Sequence, residues 1–367
     1  MKKFAVAAIA VGAAGALVLT GCSSNSRSTA ASSAGSSAAA KGFAADATIG
    51  VALPQKTSEN WVLAESLFND DLKAAGFKPL VQFANGGVTE QQNQISSMVE
   101  QKAKVIVVGA IDGSQLGSQL KDAKSSGATI IAYDRLLKNT DAVDLYIAFD
   151  NYKVGQLQGQ ALLDGLKARK GNGPYNIELI AGSPDDANSA PFFNGAMSVL
   201  EPKIKDGTLV VPSGQTTIEQ VSTQGWKAEN AQKRMDTILA GTYTDKKLDG
   251  ILSPNDTLGR AAMTSVKQAG KDLPVVTGQD SEVESVKSIM AGEQYSTIYK
   301  DTRELVKQTV QTIKDLQAGK DAQVNDTKSY NNGVKVVPAY LLTPVIVTKA
   351  NAAQVYANDP TLAPLTK

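Results

Sequence analysis

The stretch TIGVALPQKTSENWVLAESLFNDDLKAAGFKPLVQF, residues 48–83, holds one full turn of the pattern that organises the chain. TIGVAL (48–53) and KPLVQF (78–83) are short β-branched, apolar runs. Between them the amphipathic segment WVLAESLFNDDLKAAG ends on Gly76, where a helix C-cap belongs. A strand, a helix and a strand in this order predict a parallel pair.

The unit recurs. KVIVVGAI (104–111), ATIIAYD (128–134) and LYIAFD (145–150) read as further strands, with the amphipathic EQQNQISSMVEQ among the segments between them. Alternation of this kind predicts a parallel sheet with helices on both faces. YNIELIAG (175–182), TLVVPSG (208–214), LDGILS (248–253), LPVVTGQD (273–280) and YSTIYKD (295–301) repeat it, and helices begin near Asn151, Ser189, Gly225, Asp256 and Ser281. Two βα lobes of similar build therefore follow one another. The helical stretch 302–319 comes after a strand of the second lobe, and VKVVPAYLLTPVIVT (334–348) still supplies strands, so the chain crosses between lobes more than once.

The chain opens MKKFAVAAIAVGAAGALVLTGC, with Lys2 and Lys3 before an apolar run and Leu19-Thr20-Gly21-Cys22 at its end. This is the form of a bacterial lipoprotein export signal, in which the Cys22 thiol becomes lipidated. The alternative, a transmembrane anchor, fits poorly with so short a run. The expected location is the outer face of the cytoplasmic membrane. Residues 23–47, rich in Ser and Ala, read as a flexible tether.

Composition excludes much chemistry. There is no histidine, and the single cysteine is Cys22. A Ser-His-Asp triad, a Cys-His pair and a His-ligated zinc are therefore ruled out, and no disulfide, metal or cofactor is expected. With 37 basic and 36 acidic side chains mixed along the chain, no nucleic-acid partner is indicated. About 320 residues after the tether suit two lobes.

Specific polar groups gather where strands hand over to helices. Asp112 follows KVIVVGAI and Asp134-Arg135 follows ATIIAY. Pro184-Asp185-Asp186-Ala187-Asn188 follows LIAGS and precedes Phe192-Phe193. Asn255-Asp256 follows GILSP, Asp280 follows VVTGQ, and Lys300-Asp301 follows YSTIY. Taken singly, Asp112, Asp256 and Asp301 read equally well as helix N-caps. Taken together, the carboxyl ends of parallel strands lie on one edge, and two such edges facing each other bring these groups into one cleft. Carboxylates, amides and cations in one place match sugar hydroxyls, each of which gives and takes a hydrogen bond. Trp61 and Trp226 fall at helix starts, one in each half, and read either as hydrophobic staples or as faces for a sugar ring.

The segments YDRL, LYIAFDNYKVGQLQG, NIELIAGSPDDAN, FFNGAMSVL, ILSPNDTLG, VVTGQDSEVESVKSIMAGEQYSTIYKDTREL and VNDTKSYNNGVKVVPAYLLTPV carry a resemblance over nearly all of residues 48–350. The chain resembles the type I periplasmic sugar-binding proteins of ABC importers, of the ribose- and xylose-like branch, and most of all its multiple-monosaccharide-binding members. The resemblance implies an α/β fold of two Rossmann-like lobes with parallel sheets joined by a three-stranded hinge. The first lobe would comprise 48–151 plus about 301–333, and the second 152–300 plus about 334–367. It makes Trp61 and Trp226 ring-stacking residues, Asp134 and Arg135 a clamp on hydroxyls, and Asn255, Asp256 and Asp280 polar contacts of the second lobe. Lys300 would be a donor beside the hinge, and Asn188 and Phe193 further contacts. Relatives commonly carry a basic residue just before the first Trp, whereas here it is Asn60.

The expected function is capture of a neutral monosaccharide, xylose-, glucose- or galactose-like, by a monomeric lipoprotein that passes it to an ABC permease. Two other readings stay open in the sequence. One is a sensor subunit that presents its closed state to a receptor, and the other is a glycoside hydrolase using two of Asp134, Asp256 and Asp280. A transcriptional repressor of this fold is set aside, because the export signal stands where a DNA-binding headpiece would lie.

Overall fold

In a computed structural model the structure describes residues 42–56 and 58–367. The export signal, Cys22 and most of the expected tether lie outside the described residues. The first lobe begins β1 (Thr48–Leu53), α1 (Glu59–Ala74), β2 (Lys78–Phe83), α2 (Val88–Glu100), β3 (Val105–Val108), α3 (Gly117–Ser125), β4 (Thr129–Tyr133) and β5 (Leu145–Phe149). The second holds α4 (Asn151–Lys170), β6 (Tyr175–Leu179), α5 (Ser189–Lys205), β7 (Leu209–Val210), α6 (Ile218–Val221), α7 (Ala228–Thr242), β8 (Gly250–Leu252), α8 (Asp256–Gln268), β9 (Val275–Val276), α9 (Val283–Ala291) and β10 (Ser296–Tyr299). The chain closes with α10 (Thr302–Gln317), β11 (Ala339–Leu342), β12 (Val345–Thr348) and α11 (Ala352–Val355).

The first sheet is parallel throughout, in the order β11-β5-β4-β3-β1-β2. Its central strands β3 and β4 are hydrophobic at nearly every position because both faces are covered. Ile106, Ile130 and Ala132 pack on one side with α2 and α3. Val105, Val107 and Ile131 pack on the other with Phe68, Leu72 and Ile313 of α1 and α10. The second sheet runs β7-β6-β8-β9, also parallel, with β10 and β12 paired antiparallel beside it.

In both sheets the strand order reverses next to the first strand, between β1 and β3 and between β6 and β8. At such a switch point the following connections leave toward opposite faces and open a crevice at the carboxyl edge. Three crossings join the lobes, between Phe149 and Asn151, between Tyr299 and Thr302, and between Leu342 and Val345. Close helix packing supports the first of them. A Cβ on Gly155 of α4 would lie 2.0 Å from the Phe192 carbonyl oxygen of α5, so only glycine permits this approach.

Two boundaries differ from those expected. Strand β11 pairs with β5, Ala339 opposite Tyr146, so the chain stays in the first lobe until Leu342 and only β12 onward belongs to the second. The apolar run 334–348 has the same appearance in either sheet, and periodicity does not tell which neighbour it will find. The expected tether also ends early: Phe43 packs beside Phe77 with ring centres 6.2 Å apart, and its N–H donates to Gln317 O at 3.3 Å.

Candidate functional site

The carboxyl edges of the two sheets face each other across a closed cleft. Its first-lobe wall comes from the start of α1 (Asn60 and Trp61) and the end of β4 (Asp134 and Arg135). Its second-lobe wall comes from the turns after β6 (Asp186 and Asn188), β8 (Asn255) and β9 (Asp280), with Trp226 before α7 and Lys300 at the hinge.

Cross-lobe bonds organise these groups. Arg135 Nε lies 3.0 Å from Asp186 Oδ2, both side chains nearly buried, and Arg135 Nη1 donates to Ala110 O at 2.9 Å. The same Asp186 oxygen accepts from Trp226 Nε1 at 3.0 Å. One carboxylate thus fixes both a cation of the opposite lobe and an indole of its own. Asn188 Nδ2 donates to Asp134 O at 3.0 Å and to its Oδ1 at 3.2 Å, while Asn188 Oδ1 accepts from Asn151 Nδ2 at 2.9 Å. Asn151 opens α4 directly after the first crossing, so the hinge and the cleft share one hydrogen-bond chain. Lys300 Nζ pairs with Asp280 Oδ1 at 3.1 Å, and Asn60 Nδ2 reaches Asp280 O at 3.4 Å.

Charge balance follows from burial. Burial raises Asp186 above the ordinary carboxylate range, with the Arg135 guanidinium opposing it. Burial alone would lower Lys300, but the carboxylates of Asp280, Asp134 and Asp186 outweigh it and hold the ammonium above its usual value. The cleft therefore keeps a protonated lysine at neutral pH.

The indoles lie on glycines. An ideal Cβ on Gly182, just past β6, would sit 2.2 Å from Cζ2 and Cη2 of Trp226, and one on Gly109, just past β3, 3.1 Å from Trp61 Cζ3. Arg135 stands over Trp61 with its guanidinium carbon 5.3 Å from the ring centre. Asp134, Trp226 and Asp280 have φ of 60°, 55° and 91°, a region that side chains bearing a Cβ seldom occupy. Backbone strain at three residues of one cleft is the pattern of a site whose geometry is imposed by its surroundings.

The structure brings together nine of the eleven cleft residues expected from sequence: Asn60, Trp61, Asp134, Arg135, Asn188, Trp226, Asn255, Asp280 and Lys300. Two are elsewhere. Phe193 faces the core between α5 and the second sheet, and its neighbour Phe192 lines the cleft instead, one helical step of about 100° away. Asp256 is wholly buried behind the cleft, where it accepts from the N–H of Glu282 at 3.0 Å, from Gln294 Nε2 at 2.9 Å and from the Thr297 hydroxyl at 3.0 Å. Burial, then the neighbouring Glu282, pushes its carboxyl well above the usual range, so it serves the fold of the second lobe. Asp301 caps α10 by accepting from Arg303 N, as the capping alternative implies, whereas Asp112 caps no helix and only accepts from Ser114 N in the turn after β3, with Leu116 at the N-cap of α3. Asn255 does both, capping α8 through Leu258 N at 2.9 Å while lining the cleft. Among the cleft residues not singled out from sequence, which include Gln279 and Phe192, Asp186 makes the cross-lobe contact to Arg135. Asp185 and Asp186 are equivalent in sequence, and only the turn after β6 selects the second.

The model of a periplasmic binding protein domain matches residues 49–321. The chain belongs to the periplasmic binding protein family. It is 49% identical over 322 residues to the multiple sugar-binding periplasmic receptor ChvE of Rhizobium radiobacter, covering 86% of this chain and 91% of that one. It is 33% identical over 317 residues to the D-xylose-binding periplasmic protein of Escherichia coli, covering 86% and 91%. Among solved structures it is similar to an ABC transporter solute binding protein from Clostridium phytofermentans with bound β-D-glucose. That match has a TM-score of 0.83 and 39% identity over 87% of this chain and 100% of that one. Members of this family are binding proteins and not enzymes, so the hydrolase reading falls.

Proposed function

We propose that this chain captures a neutral monosaccharide in the interlobe cleft and delivers it to an ABC import permease. The observation that carries the reading is the meeting, in one closed cleft, of Asp134 and Arg135 from one lobe with Asp186, Asn188 and Asp280 from the other, beside two indoles. Aromatic faces suit the C–H faces of a pyranose, and charged hydrogen-bonding groups hold its hydroxyls against water at about 1.5–3 kcal/mol per bond. Relatives whose printed names give multiple sugars, D-xylose and bound glucose agree with this choice of ligand. Binding works by selection of the closed state, the lobes hinging about the three crossings.

Calorimetric titration with a panel of aldopentoses and aldohexoses tests the reading. One-to-one binding of xylose, glucose or galactose near the micromolar range, about −8 kcal/mol, is expected, and no heat from any of them would refute it. We place the protein, as a monomer, on the outer face of the cytoplasmic membrane through lipidated Cys22. Cys22→Ser should then release it from the membrane fraction with its sugar binding intact.

A further inference from the structure

Helix α9 begins at the mouth of the cleft in the second lobe, and its own N-cap residue does not cap it. Glu282 makes no side-chain bond to the first turn. Its carboxylate is turned away, accepting from Arg260 Nη2 at 2.6 Å and from the Thr257 hydroxyl at 2.8 Å. The first N–H of α9, that of Val283, instead donates to Glu59 Oε2 at 3.0 Å. Glu59 belongs to the other lobe, in the first turn of α1.

This bond differs from the cross-lobe bonds inside the cleft. The Arg135–Asp186, Asn188–Asp134 and Asn60–Asp280 bonds all involve residues that line the cleft, where sugar hydroxyls compete for the same donors and acceptors. Neither Glu59 nor Val283 lines it. Glu59 stands at the seam between two surface grooves, one shared with Thr257 and Arg260 and the other with Ser281 and Leu362, all of the second lobe. A ligand therefore leaves this contact in place, whereas hinge opening must break it.

We infer that Glu59 is an interlobe cap, a carboxylate that completes the N-terminus of α9 only when the lobes are closed and so raises sugar affinity without touching the sugar. An orphan helix N–H gains from an acceptor, and a negative charge there also meets the positive end of the helix dipole. In the open state Val283 N–H and Glu59 each return to water. The difference biases the closed state, and a ligand that requires closure binds more tightly by the same factor. The inference rests on the reading that sugar capture closes the lobes.

The test compares Glu59→Ala, Glu59→Gln and Glu59→Lys with the wild type, titrating D-glucose, D-xylose and D-galactose by calorimetry and recording melting with and without sugar. Glu59→Ala should raise Kd about threefold to tenfold, and Glu59→Lys more, because it sets a cation against the helix dipole. Glu59→Gln, whose amide oxygen still accepts, should stay within about twofold. Melting of the sugar-free protein should not change, since the bond is absent once the lobes open. A wild-type affinity in Glu59→Ala, or a drop in sugar-free melting equal to the drop with sugar, overturns the inference while leaving sugar capture standing. If the wild type itself binds none of the three sugars, the capture reading fails and the inference falls with it.

Discussion

Replacing Gly182 with alanine tests how the second lobe holds the Trp226 indole. The added Cβ would lie 2.2 Å from Cζ2 and Cη2 of Trp226 and 2.5 Å from the Ser189 hydroxyl, where ordinary contacts begin at 3.4 Å. The indole has to retreat by at least about 1.2 Å. That is enough to break the 3.0 Å bond from its Nε1 to Asp186, which then loses one of the groups that hold it against Arg135. A hydrogen bond to a charged group is worth about 1.5–3 kcal/mol, so sugar affinity should fall roughly tenfold to a hundredfold. Calorimetry measures the affinity, and circular dichroism confirms that the lobe still folds. In a Trp226→Ala background the same substitution should cost less than about threefold, because the ring it displaces is gone and only the Ser189 hydroxyl still has to shift. Wild-type affinity in Gly182→Ala, or an equal loss in both backgrounds, would refute the argument that the glycine acts through Trp226.

Asp134→Ala and Asp280→Ala should each lower affinity by about 2 kcal/mol or more, roughly thirtyfold, by calorimetry. Asp256→Ala should instead lower the melting temperature, leaving the affinity of the folded protein within about fivefold, because it strands three buried donors. Burial raises Asp186 in the folded chain, so its contribution to stability is full below the ordinary carboxylate range and is lost as pH rises through the raised value. Asp186→Asn should remove that loss, and urea melts between about pH 4 and pH 7 should show a smaller decline than in the wild type. Three carboxylates (Asp134, Asp186 and Asp280) face two cations (Arg135 and Lys300) in the cleft, so galacturonic acid should bind far more weakly than galactose. Asn60→Arg should narrow that gap, and equal affinities in the unmodified protein would contradict the charge argument.

Much of the architecture was legible because it depends on local rules. β1 and β2 fall at 48–53 and 78–83 as their apolar runs indicate, and α4, α5, α8 and α10 start at Asn151, Ser189, Asp256 and Thr302, each after a residue suited to capping or turning. What sequence could not supply was set by long-range packing. β11 joined the first-lobe sheet by pairing parallel with β5, a strand distant in sequence, which no window along the chain contains. The cleft was legible to the same extent. Strand ends converge by topology, which placed Asp134, Asn188, Asp280 and Lys300 among the candidates, and the resemblance to sugar-binding proteins singled them out. Whether a given side chain points into the cleft depends on the rotation of its turn. That single degree of freedom exchanged Phe193 for Phe192, withdrew Asp256 into a buried network and promoted Asp186 over Asp185.

The central claim is that both lobes grip one sugar ring in this cleft. A crystal structure grown with the tightest-binding sugar of the calorimetric panel tests it most directly. The ring should lie against the indoles of Trp61 and Trp226, with its hydroxyl oxygens at hydrogen-bonding distance, about 2.6–3.2 Å, from Asp134, Arg135, Asp280 and Lys300. A sugar bound to one lobe only, or one that leaves the Arg135–Asp186 and Lys300–Asp280 pairs intact and contacts neither indole, would contradict the account.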